Sequence, residues 1–167
     1  MERTYRRSMF VAAGLLVCCL LGAFLAPLAS ANTTLTFEEP EKGSTFKFVD
    51  VAPEAPKKHG FPTAISPGDQ IVVTNPLTQG GKTTGKLRAK CTATANAKGK
   101  NAFANAHYIC DGVFSFGKNV LYASASIVKG GVEGAITGGT GKYVGARGTL
   151  MSKEGKGGST TTITLIG

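Results

Sequence analysis

From Asn32 onward the chain alternates with a period of two almost everywhere, and no stretch carries three turns of helical amphipathicity. That pattern confines the fold to β-sheet. Extended runs are expected at 33–37, 44–50, 69–75, 83–96, 103–116, 120–128, 132–137, 148–153 and 160–166, separated by turns rich in Gly and Pro. Eight or nine strands in so short a span leave a closed barrel or a sandwich, and small residues on one face, Ala89, Ala93, Ala104 and Ala106 among them, favour a barrel with room in its lumen. The same alanines would also pack a tight sandwich. Residues 51–67 hold four prolines, Lys57-Lys58 and Gly60, and read as a long surface loop over one barrel mouth.

The first 31 residues follow a different rule. A basic start containing Arg3, Arg6 and Arg7 precedes a nearly continuous apolar run to Leu28, and Ala29-Ser30-Ala31 places small residues where a signal peptidase reads them. Residues 1–31 are therefore expected to be a signal peptide cut before Asn32. Residues 32–167 would then be one secreted, periplasmic or extracellular domain without stable membrane insertion. The Arg6-Arg7 pair also admits the twin-arginine route. The remaining chain keeps 16 Lys plus Arg against 9 Asp plus Glu.

Cys18 and Cys19 leave with the signal, so Cys91 and Cys110 meet an oxidising compartment together and are expected to pair. A hairpin with Cys91 opposite Cys110 has partners whose numbers sum to 201 and a turn at Gly99-Lys100-Asn101-Ala102. Two cysteines with only His59 and His107 offer no recognisable metal spacing, and no metal or cofactor is expected.

Several chemistries fail on spacing. Gly138-Gly139-Thr140-Gly141-Lys142 has Ile at 136 and Tyr at 143 where a phosphate loop needs Gly and Ser or Thr, and no helix follows it. It reads as a tight glycine junction between strands. His107 has no nucleophile and carboxylate partner that the sequence can place beside it, so no hydrolytic triad is supported. The basic residues are dispersed along the chain without interleaved aromatics, which argues against nucleic acid as a partner.

Four segments together resemble a known superfamily. Ser66-Pro67-Gly68-Asp69-Gln70-Ile71-Val72-Val73 is followed by Asn75-Pro76-Leu77 and Gly81-Lys82-Thr83-Thr84-Gly85, and later by Ile136-Thr137-Gly138-Gly139-Thr140-Gly141-Lys142-Tyr143-Val144-Gly145-Ala146-Arg147-Gly148. The set is similar to the dirigent and allene oxide cyclase barrels, in the manner of an exported bacterial-type member. The resemblance implies an all-β, eight-stranded antiparallel β-barrel with an apolar lumen, assembled as a homotrimer. Dirigent proteins steer phenoxy-radical coupling without oxidising anything, whereas allene oxide cyclases close a fatty-acid-derived epoxide.

Carried over by position, Asp50 matches the aspartate ending the first long dirigent strand, and Arg147 matches the arginine of the glycine-rich block. Asp50 shares a parity with Phe46 and Phe48, so it faces the lumen if those aromatics are core. Desolvation raises the pKa of a lumen carboxylate, which suits proton transfer to a quinone methide or an epoxide. Asp50 and Arg147 are thus the expected catalytic pair, a strand-end cap and a turn-holding ion pair being the structural alternatives. Tyr108, Tyr122 and Tyr143 are candidate ligand-positioning residues, because a phenol in an apolar cavity can orient an oxygen. The first strand lacks the glutamate and asparagine arrangement of an epoxide cyclase, although Glu38, Glu39 and Glu41 lie in a segment of unfixed register. The expected function is binding of a small apolar or phenolic molecule and guidance of its cyclisation or stereoselective coupling. The alternatives are a noncatalytic binding or structural barrel and an allene oxide cyclase-type isomerase.

Overall fold

The computed structural model describes residues 32–51, 57–58, 61–99 and 101–167. The expected signal peptide, its cleavage site and His59 lie outside the described residues. Nine principal strands follow in order: β1 (Thr33–Pro40), β2 (Thr45–Val49), β3 (Gln70–Gln79), β4 (Lys82–Ala93), β5 (Tyr108–Phe116), β6 (Asn119–Val128), β7 (Gly131–Thr140), β8 (Arg147–Gly155) and β9 (Gly158–Ile166).

Every ladder is antiparallel, running from β2 through β3 and β4 to β9 and then to β1. The Glu38–Thr78 pairing of β1 with β3 closes the ring. The barrel has eight staves because β1 and β2 together make one: both lie along β3, β2 pairing with residues 70–74 and β1 reaching Thr78. The break between them falls at 41–44, where Ser44 N–H donates to Glu41 O and Ser44 Oγ donates to Pro40 O. Pro76, which has no N–H to give, sits in β3 across from that break, one residue from a register shift at Leu77/Thr78.

Alternation sorts the core. Phe37, Ile71, Leu77, Phe114, Leu121, Ile136, Leu150 and Ile163 all point inward and are buried. At one end Phe37 stacks on Phe116 with centroids 5.0 Å apart, and Phe116 meets Tyr143 edge-on at 6.0 Å. Burying an aliphatic or aromatic side chain of this size contributes about 1.5–3 kcal/mol, so this filled end is a main source of stability.

The Cys91–Cys110 disulfide is formed, and its ladder follows the expected register from Lys86–Ser115 to Ala93–Tyr108. The connection differs from the expected short hairpin. Pairing stops at Ala93–Tyr108, and 94–107 leave the wall on an excursion. Residues 103–107 do not extend β5; Ala102–Asn105 form one helical turn instead. Ala-rich sequence favours that turn, and it buries Ala102 and Ala106 while projecting Phe103 toward the lumen. A two-residue ladder joins Ala97–Lys98 to Ala64–Ile65, and Gly99 N–H donates to Thr63 O. The 51–67 segment is therefore more than a surface loop, since Ile65 is buried in the core. A second short ladder pairs Lys57–Lys58 with Phe61–Pro62.

Candidate functional site

The excursion and the ends of β2 to β5 meet at one mouth of the barrel. There Asp69, at the start of β3, is fully buried. Its Oδ1 accepts from Val51 N–H at 2.8 Å and its Oδ2 from Ser66 N–H at 2.7 Å. Asp69 O also accepts from Ala93 N–H at 2.8 Å, and Gly68 N–H donates to Ala93 O. One aspartate thus ties the segment after β2, the Ser66-Pro67-Gly68 turn and the end of β4 into a fixed rim. The full burial of Asp69 is set by the tertiary fold.

Asp50 stands one residue before the tethered Val51, with its carboxylate Oδ1 buried. Phe46 and Phe48 precede it on the inward face, paired with Val73 and Ile71. Phe48 is half-buried and packs against the core, whereas Phe46 keeps 49% exposure. Phe103 lies 5.6 Å from Phe46, 6.4 Å from Phe48 and 5.8 Å from Tyr108, centroid to centroid. Four aromatic rings from β2, the helical turn and β5 therefore cluster at this end of the barrel.

Tyr108 is buried at the start of β5, and its hydroxyl has no hydrogen-bond partner among the described residues. Burial, reinforced by the negative charge of Asp69, pushes its pKa up to about 12. Tyr108 is a neutral phenol throughout the physiological range, and so a donor to an oxygen placed beside it.

The remaining sequence candidates lie elsewhere. Arg147 is exposed on the outward parity of β8, and its guanidinium donates to Ala146 O at 2.9 Å, a backbone partner rather than a carboxylate. Tyr122 lies on the outer face of β6 and is exposed. Tyr143 is buried at the filled end against Phe116, with its neighbour's Lys142 Nζ 4.9 Å from the ring centroid. Neither tyrosine nor Arg147 joins Asp50. Strand parity could have separated Tyr122 and Arg147 from the lumen once register was fixed; the residue types alone could not.

A second polar group inside the barrel was missed. Glu39 of β1 points inward and is 5% exposed. Its Oε2 accepts from Asn75 Nδ2 at 2.6 Å, and its Oε1 accepts from Thr161 Oγ1. Glu39 and Asn75 are brought together from β1 and β3. Their 36-residue separation hid them. Among the described residues no group of three His, Cys, Asp or Glu side chains is placed to hold a metal ion, and no helix is long and apolar enough to cross a membrane.

The ladders define an eight-stranded antiparallel barrel with a fold like that of the dirigent and allene oxide cyclase barrels. No family model matches the sequence, and no curated protein matches it either. Among solved structures the chain is similar to one described as pyocyanin demethylase, at 18% identity and a TM-score of 0.58, covering 80% of this chain and 99% of that one. It is also similar to the Diels–Alderase AbmU from Streptomyces koyangensis, at 14% identity and a TM-score of 0.54, covering 89% of this chain and 77% of that one. At these identities the likeness is one of fold.

Proposed function

We propose that this barrel binds a small apolar or phenolic molecule at the aromatic mouth and guides its cyclisation or stereoselective coupling. The observation that carries the reading is Phe46, which faces inward yet remains half-exposed inside a ring completed by Phe48, Phe103 and Tyr108. An inward aromatic left open to solvent is a binding surface that a packed core would have covered. In this reading the rings hold the ligand, Tyr108 donates to a ligand oxygen, and Asp50 gives or takes a proton at the rim. Catalysis would come from holding the reacting atoms in position, and the fixed rim around Asp69 supports that pre-organisation. Export from the cell and assembly as a homotrimer belong to the same proposal, the latter supported by exposed Tyr122 and Ile166 on the outer wall and exposed Val144 at the glycine junction.

The Glu39–Asn75 pair favours a second reading, an allene oxide cyclase-type isomerase in which the buried carboxylate assists a polar ring closure. The two readings part on mutation. Native mass spectrometry of the protein against a panel of phenols and fatty-acid epoxides is expected to show one ligand per barrel. On any substrate converted, Asp50→Asn should lower turnover by about 10²- to 10⁴-fold with binding largely kept. Unchanged turnover in Asp50→Asn, with loss in Glu39→Gln, would replace the first reading by the second. A panel with no binding at all would leave a structural barrel.

A further inference from the structure

Five of the basic residues are gathered by the fold onto one outer wall. Strands β2, β3 and β4 are neighbours, and they carry Lys47, Lys82, Lys86, Arg88 and Lys90 without a single acidic residue. All five cations are exposed. Lys86, Arg88 and Lys90 occupy alternate positions of β4, so their stems leave the same face about 7 Å apart along the strand. Lys47 joins them across the sheet, because Val72 pairs with Lys47 on one side and with Lys90 on the other. The nearest acid on the adjoining strand is Asp111, opposite Lys90.

Two aliphatic side chains stand among these charges. Val72, between Lys47 and Lys90, is 39% exposed, and Ile109, which pairs with Thr92 next along the wall, is 53% exposed. No aromatic side chain points outward from β2, β3 or β4, since Phe46 and Phe48 face the lumen. This combination discriminates between polyanions. A single-stranded nucleic acid needs stacking platforms that the wall lacks. A layer of anionic headgroups over hydrocarbon instead rewards cations and protruding aliphatic groups together.

We propose that the outer wall of β2–β3–β4 docks onto an anionic phospholipid bilayer surface. The lysine and arginine heads meet the headgroups, and Val72 and Ile109 enter the boundary beneath them. The proposal is independent of what the lumen binds.

Co-sedimentation of the full-length protein with phosphatidylcholine vesicles, with and without about a third phosphatidylglycerol, tests it. Because residues 1–31 are common to every variant, the readout is the difference between parent and variant. Lys86→Gln/Arg88→Gln/Lys90→Gln should weaken partition onto the anionic vesicles about a hundredfold at low salt, or about fivefold per charge, with the difference shrinking as salt is raised. Val72→Ser should lower the part that survives salt. Lys153→Gln, on the outward parity of β8, should match the parent. These exposed positions leave the core intact, and an unchanged thermal midpoint verifies that each variant is folded. A triple variant that partitions like the parent overturns the proposal. So does tighter binding of double-stranded DNA than of the vesicles at the same ionic strength, which would assign the wall to nucleic acid.

Discussion

At the residue scale, the rim depends on groups whose surroundings leave them little choice. Asp69 accepts two amides from separate segments, so Asp69→Asn should destabilise the fold by roughly 1–3 kcal/mol, read as a lower midpoint in urea. Tyr108 makes a prediction of opposite pH sense to a paired carboxylate. Its pKa rises from 10.0 to about 12 on folding, so between those values the unfolded chain loses the proton first. Its stabilising contribution is complete below pH 10 and disappears as pH climbs toward 12. A spectrophotometric titration should show one phenol ionising last, and Tyr108→Phe should abolish that step. The glycine junction is equally specific. A Cβ at Gly139 would lie 2.5 Å from Tyr143 O and 2.7 Å from Val120 O, and Gly141 has a φ of +62°. Gly139→Ala and Gly141→Ala should each lower the melting temperature, by an amount corresponding to on the order of 1 kcal/mol or more; a melting temperature equal to the parent's in both would remove this account of the motif.

At the element scale, the β4–β5 pair does two jobs with one covalent link. The disulfide joins cysteines 19 positions apart, and between them sits the excursion that carries Phe103. Loop-closure entropy assigns such a bond about 3 kcal/mol. Reduction should therefore lower the thermal midpoint markedly, and hydrogen exchange should show its largest gain in 94–107 rather than in β6 to β9, whose ladders do not depend on the bond. Uniform loosening of all strands would argue that the excursion is not a separable unit. Phe103 was assigned to a strand by its alternating neighbours. The helical turn prevails because the chain must leave the wall to cover the mouth, a demand that local alternation does not encode.

At the scale of the whole molecule, the barrel is asymmetric along its axis. One end is filled by Phe37, Phe116 and Tyr143, and the other holds Asp50, Tyr108 and a half-exposed Phe46. A ligand should accordingly protect the mouth alone: Phe46→Ala should weaken binding with little loss of stability, while Phe37→Ala, in the filled end, should cost about 3–5 kcal/mol of stability. Native mass spectrometry of the same samples reads subunit number, and a trimer is the expected species. A monomer at micromolar concentration would leave the ligand reading intact and remove the assembly.

What the sequence by itself determined follows from interactions that repeat every two residues or sit in one turn. Alternation placed all nine principal strands, glycines marked the junctions, and facing parities set Cys91 against Cys110 in the register observed. The shared parity of Phe46 and Phe48 was legible for the same reason. Only the tertiary structure decided which inward residues stay uncovered and that Glu39 meets Asn75 across closing strands. Those outcomes depend on ring closure and on which segment lies over a mouth. Contacts between residues far apart in the chain set both, and no local period carries that information.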